Sequence, residues 1–196
     1  HNVEIGTFNI EWFPCKDDSV MMKRYGLDLR WWPKGEATDI RALFDELRRL
    51  DVELLGVQEI VDPQMLEDSA KAYLGPEFEV IYSPYGGIQK VGFLYDSSVL
   101  TLVGPPETYA DMTLDPDSRL RPAFRAFFKY KSSGFDFHAV VVHLKASPRG
   151  WNLRKQQWEI LERIMRELPK ETGDRDIVLL GDFNNVTGQG TGEFDA

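Results

Sequence analysis

Apolar and polar positions repeat along this chain with two different periods, and each change of period marks an element. Residues 3–12 carry Val3, Ile5, Phe8 and Ile10 in an imperfect apolar run that predicts a strand. Residues 14–34 lose the period and hold Trp31-Trp32-Pro33. Irregular segments longer than about 12 to 15 residues are usually functional or disordered, so this one is a candidate substrate or partner surface. Thr38 predicts a helix N-cap, and Ile40, Leu43, Phe44, Leu47 and Leu50 follow at helical spacing. A short apolar run over 54–60 ends in Gln58-Glu59. Asp62-Pro63 predicts a second helix with proline in its first turn, carried by Met65, Leu66, Ala70, Tyr73 and Leu74 as far as Gly75-Pro76.

Strand patterns then occupy 78–82, 91–95 and 99–103, before a proline- and aspartate-rich connection over 104–118. Residues 122–130 and 135–145 predict a hairpin around Ser132-Ser133-Gly134. A long helix is predicted over 149–168, with Trp151, Trp158, Leu161, Met165 and Leu168 as its stripe, Ile160 and Ile164 flanking it, and Pro169 ending it. The wholly apolar strand 177–180 runs into Gly181-Asp182-Phe183-Asn184, and the chain closes in a glycine-rich polar stretch over 187–196. With no repeat and no linker in this order, residues 1–196 predict one α/β domain.

Composition narrows the chemistry more than the fold. The 23 basic and 32 acidic residues leave a formal charge of -9, which excludes a broadly basic nucleic-acid coat. Any nucleic-acid contact must come from a local patch or through a metal ion. The one cysteine, Cys15, excludes an internal disulfide framework and a multi-cysteine zinc site. It is compatible with the cytoplasm or with secretion. No apolar run reaches the roughly 18 to 20 residues of a membrane helix, and the first residues show no charged segment followed by an apolar one, so no secretory leader is read there. With only three histidines, His1, His138 and His143, the chemistry must rest mostly on carboxylates, amides and arginines.

Polar groups stand at the ends of apolar strands: Asn9, Glu59, His143 and the Asp182/Asn184 pair. In open α/β sheets ligands gather beyond the carboxyl ends of strands. The set offers the carboxylate and carboxamide oxygens that Mg²⁺ prefers, together with an imidazole and a proton-transfer group, an inventory suited to metal-assisted phosphoester hydrolysis.

Gly6-Thr7-Phe8-Asn9-Ile10-Glu11-Trp12, Gly56-Val57-Gln58-Glu59-Ile60, Val140-Val141-Val142-His143-Leu144-Lys145 and Gly181-Asp182-Phe183-Asn184 occur in that order. Val91-Gly92-Phe93-Leu94-Tyr95-Asp96 and Arg121-Pro122 lie between them. In these segments the chain resembles the endonuclease/exonuclease/phosphatase superfamily over nearly its whole length. The resemblance implies a two-sheet, four-layer sandwich of the deoxyribonuclease I-like type. It implies that Glu59, with Asn9 beside it, binds Mg²⁺ or else Mn²⁺ or Ca²⁺. It further implies that Asp182 positions or deprotonates the attacking water, that His143 contacts the scissile phosphate, and that Asn184 and Arg121 serve a phosphate oxygen. Arg119 and Arg125 are close enough in sequence to Arg121 to compete for that role. Family members end in a last strand bearing an Asp-His pair, and no histidine follows His143 here. The resemblance therefore implies a sandwich lacking its final strands, with a partner or self-association to cover the sheet.

Each residue also has a structural reading. Asn9 can hold a loop, Glu59 can be a solvated strand end, His143 can be a satisfied core histidine, and Asp182 can serve a turn. His138 is read as structural because it lies on the strand face opposite His143. Arg119, Arg121, Arg125, Lys129 and Lys131 form one acid-free basic segment, and Lys145, Arg149, Arg154 and Lys155 form another. These are either solvated faces or basic walls that bind backbone phosphates, with Arg119, Arg125 and Lys145 as the substrate contacts. The expected activity is divalent-metal-dependent hydrolysis of DNA phosphodiesters. The alternatives are a phosphatase, a sphingomyelinase-like phosphoesterase, or a catalytically impaired binding protein.

Overall fold

The computed structural model describes residues 3–14, 23, 26, 37–115 and 119–185. Cys15, the Trp31-Trp32 pair and the polar stretch 187–196 lie outside them. The strand-like runs pair into two sheets. The first has the order β1 (Ile5–Phe13), β2 (Leu54–Ile60), β4 (Lys90–Asp96), β3 (Phe78–Tyr82). The second has the order β5 (Leu100–Leu102), β7 (Ala123–Tyr130), β8 (Asp136–His143), β9 (Ile177–Asp182), with β6 (Glu107–Tyr109) also on β7. Two parallel pairings, β1 with β2 and β8 with β9, bring Asn9 and Asp182 to the same ends of their sheets as Glu59 and His143.

Side-chain alternation sorts each strand between two faces. Phe124, Ala126 and Phe128 of β7 and Phe137, Ala139 and Val141 of β8 meet Leu54, Phe93 and Tyr95 of the first sheet in the central core. Rings interlock there, Phe93 lying 5.7 Å from Phe128 and 6.0 Å from Phe124. Each such ring contributes about 1.5–3 kcal/mol by leaving water. The opposite face of the first sheet is covered by α1 (Ile40–Leu50) and α2 (Pro63–Tyr73). That of the second is covered by α3 (Trp151–Thr172), where Val140, Val142 and Leu144 meet Leu161, Ile164 and Leu168. Helices, sheet, sheet and helix are the four layers, as expected.

Four local expectations change. Asp39, not Thr38, caps α1, its carboxylate accepting from the Ala42 N–H at 2.9 Å. Asp62 caps α2 as predicted, with Pro63 at its first position. Helix α3 does not stop at Pro169. It continues to Thr172 because Leu168 is locked in the core, the Thr172 hydroxyl donates to the Leu168 carbonyl at 2.8 Å, and left-handed Gly173 closes the end. Ile164 is buried rather than flanking, and Arg154 and Gln157 are buried with it. The connection over 104–118 contains β6, a strand too short to show a period.

Candidate functional site

The two ends of the site depend on broken alternation. Leu55, Val57 and Ile60 all face the helices. Regular pleating from Leu55 and Val57 would send Glu59 there too. Instead Glu59 takes φ 64°, the pairing with β4 shifts between Gln58 and Ile60, and Ile60 takes the helix-side place. On β1 the register shifts between Asn9 and Phe13, where Glu11 and Trp12 have φ 46° and 57°. Left-handed non-glycine residues cost about 1–3 kcal/mol each and gather at functional sites, and bulges of this kind re-aim side chains. Here they aim the Glu59 carboxylate out of the apolar layer.

That carboxylate meets three donors. Asn9 Nδ2 donates to Oε1 at 3.0 Å, the Trp12 backbone N–H to Oε2 at 3.2 Å, and Gln89 Nε2 to Oε2 at 2.6 Å. The same Asn9 Nδ2 donates to Asp182 Oδ2, also at 3.0 Å. One amide therefore joins carboxylates from different sheets. Its oxygen accepts from the Glu11 N–H at 3.0 Å, and the reversed amide would set that oxygen against two anions. Asn9 as placed holds both carboxylates through its amide nitrogen.

His143 closes the far side. Nε2 is 3.9 Å from Glu59 Oε1 and 3.7 Å from Asp182 Oδ2, too far for hydrogen bonds. Burial, and then the Arg121 charge, hold this imidazole well below its ordinary pKa against the opposing pull of Asp182, so it is neutral at pH 7. Burial also disfavours the Arg121 charge, while Glu59 and Asp182 sustain it. Arg121 Nη2 donates to the Leu144 carbonyl at 3.3 Å, and Asn184 Nδ2 donates to that same carbonyl at 3.0 Å. Asn184 has φ 50°, and its backbone N–H donates to Asp182 Oδ1 at 2.9 Å. Two buried atoms, His143 Nδ1 and Arg121 Nε, have no hydrogen-bond partner among the described residues. Each orphaned group costs about 1–3 kcal/mol.

The expected residues therefore divide. Asn9, Glu59, His143, Asp182, Asn184 and Arg121 come together. Arg119 and Lys145 line an adjoining cavity of about 450 Å³ together with Trp12, Gln89 and Arg121. Arg125 does not join them. It lies four residues further along the chain, about 13 Å of strand, and is paired with Glu107 and His138 Nδ1. His138 is indeed on the other face, stacked on Phe127 with ring centroids 4.3 Å apart. Arg154 is no basic wall: it is 1% exposed and donates to the carbonyls of Lys145 and Ser147 at 2.7 and 3.0 Å. Gln89 and the Trp12 N–H join the site as well. A glutamine in a loop and a backbone amide carry no sequence signal of their own.

A hard divalent cation fits this donor set. Mg²⁺ takes one or two protein carboxylates and completes its shell with water and substrate phosphate. Glu59 and Asp182 supply two converging carboxylates on one rigid amide. Among the described residues no group of three or more His, Cys, Asp or Glu side chains is placed to hold a metal ion by itself, so water and substrate would have to complete the shell.

The chain is a member of the endonuclease/exonuclease/phosphatase family, whose sequence model matches residues 6–194. Solved structures share the fold. A D. rerio TDP2 carrying 14 humanizing mutations has a TM-score of 0.66 at 16% identity, over 94% of this chain and 67% of that one. The Bacteroides thetaiotaomicron mannosyl-6-phosphatase gives 0.66 at 18%, over 96% and 68%. D. rerio TDP2 complexed with single strand DNA product gives 0.58 at 15%, over 78% and 59%. The chain thus spans about two thirds or less of the length of these structures. No curated protein sequence matches it.

Proposed function

We propose that this chain hydrolyses phosphodiesters, with DNA as the substrate and a divalent cation held at Glu59 and the facing Asp182. The observation that carries this reading is the single Asn9 amide hydrogen-bonded to both carboxylates. A divalent cation held there would supply charge stabilisation to the phosphate. Asp182 orients the attacking water and accepts its proton as the water oxygen bonds to phosphorus and the ester oxygen departs. His143, neutral, meets a phosphate oxygen by hydrogen bonding, while Arg121 carries the fixed positive charge that stabilises the crowded intermediate. Asn184 holds the Leu144 turn that carries His143 and Lys145.

DNA is favoured because Arg119, Arg121 and Lys145 gather at one cavity in an otherwise acidic protein. The single strand DNA product bound to one fold neighbour is compatible with that preference. Hydrolysis of small phosphomonoesters is the second reading, favoured by the limited volume of the cavity.

The test is turnover of a DNA oligonucleotide and of a sugar phosphate with and without Mg²⁺. Oligonucleotide cleavage should vanish in EDTA and fall by at least about 100-fold in Glu59→Ala and Asp182→Ala, whose catalytic groups are gone. Cleavage indifferent to both substitutions would refute the assignment, and turnover of the sugar phosphate alone would select the second reading.

A further inference from the structure

We propose that the cavity beside the two carboxylates receives the terminal nucleoside of the substrate, with a second phosphate held by Arg119 and Lys145. This rests on the phosphodiesterase reading and names what flanks the scissile phosphate. Trp12, Gln89 and Arg121 belong to both places: the first two donate to Glu59, and Arg121 feels both carboxylates, yet all three line the cavity. A group lodged there is therefore next to the reacting phosphate. About 450 Å³ is at the small end of the roughly 300–1,000 Å³ range of small-molecule sites. It takes one nucleoside-sized group and not a run of paired bases. Ile88, Leu120 and Leu153 add apolar walls, and Trp12, only 6% exposed, backs the cavity.

The cationic side is built, not incidental. A Cβ on Gly86, which has φ 88°, would lie 2.9 Å from Arg121 Cα and 2.7 Å from Pro122 Cδ. The loop before β4 thus leans directly on the segment that carries Arg119 and Arg121. Lys145 is fixed from both backbone sides: its N–H donates to Gln157 Oε1 at 2.8 Å and its carbonyl accepts from Arg154 at 2.7 Å. Its stem lies against Gly150, where a Cβ would come within 2.6 Å of Lys145 Cγ. Among the described residues neither Arg119 nor the Lys145 ammonium is engaged by a carboxylate, whereas Arg125, Arg163 and Arg166 are. An anchored Lys145 and an Arg119 that no carboxylate engages among the described residues, beside apolar walls and with Asp115 also in the lining, fit a nucleoside bearing two phosphates, one at the carboxylates and one at Arg119.

The test is equilibrium binding of thymidine 3′,5′-bisphosphate, thymidine 5′-monophosphate and pyrophosphate, read without hydrolysis. The bisphosphate should bind at least about tenfold more tightly than either comparison ligand. Arg119→Ala should reduce it to the monophosphate's affinity. Leu153→Trp, at a 39% exposed position on α3, should weaken both nucleotides about tenfold and leave pyrophosphate unchanged. Equal binding of pyrophosphate and bisphosphate, or indifference to both substitutions, overturns the proposal. Competition by a linear oligonucleotide identifies the occupant as a strand end, and competition by free nucleotides alone identifies it as a mononucleotide. Equal competition by covalently closed circular DNA overturns it. Expected binding without phosphodiester turnover would sink the hydrolase reading alone, while turnover without this binding pattern would sink only the cavity assignment.

Discussion

At the scale of single residues, Asn9 does the most with the least. Its one amide group satisfies two carboxylates that would otherwise face each other as like charges. Removing it should leave the core intact, since Asn9 is only partly buried and makes no apolar contact in any core cluster. Asn9→Ala is expected to lower kcat/KM by about 10–100-fold, the usual cost of losing a group that orients ligands, with little change in melting temperature. Asn9→Asp should be worse than alanine, because it adds a third carboxylate where a donor stood. Parallel kinetics and thermal melts decide this; a large loss of melting temperature in Asn9→Ala would show that the residue holds the fold instead.

At the scale of elements, strand ends and their turns carry the catalytic set. Gly181 shows how tightly β9 is seated. It has φ 138°, and a Cβ there would lie 2.1 Å from the Val142 carbonyl oxygen of β8. Gly181→Ala must therefore push β9 from β8, or twist the backbone that delivers Asp182. A destabilisation of about 2–4 kcal/mol is expected from this clash at a special backbone conformation, together with loss of activity. Urea unfolding checks it: a shift under about 0.5 kcal/mol, the range of neutral surface changes, would mean that β9 is looser than its pairing implies.

At the scale of the whole molecule, charge and burial set how solution conditions act. Burial depresses the His138 and His143 pKa values, with Arg125 and Arg121 adding to the effect. The unfolded chain takes up those protons more readily than the folded one. Stability should be fully present above the ordinary histidine value of about 6.5 and fall as pH drops below it. Thermal melts between pH 7.5 and 5 should show this decline, and His138→Gln should make it shallower; an unchanged slope would remove His138 from the account. A charge of -9 also limits nucleic-acid affinity to the local patch. With three cations at the cavity, single-stranded DNA binding should fall with a log–log salt slope of about -2. A much steeper slope would mean that phosphates are held by a wider surface than these three side chains.

Much of the molecule was written locally. Periodicity places most of the strands, though not the three-residue β6, because a half-buried strand must alternate and an amphipathic helix must repeat about every 3.6 residues. Capping was legible to within one residue, Asp39 taking the role that Thr38 suggested, because both have a suitable oxygen. Polar residues at the ends of apolar runs mark Asn9, Glu59, His143 and Asp182 from the sequence pattern itself. Pairing was not legible. The turn of Glu59 into the site needs a left-handed residue that reverses its face, and strand alternation carries no hint of it. Gln89 enters through a loop, Arg125 leaves for Glu107, and Arg154 disappears into the protein to hold the Lys145 turn. The chain by itself determined which elements form and which polar tips they bear, since those depend on neighbours a few residues away. Only the tertiary structure decided which tips share one amide, one carbonyl and one cavity, since those partners come from strands distant in sequence, for the amide from opposite sheets, and become neighbours only when strands pair and the two sheets pack.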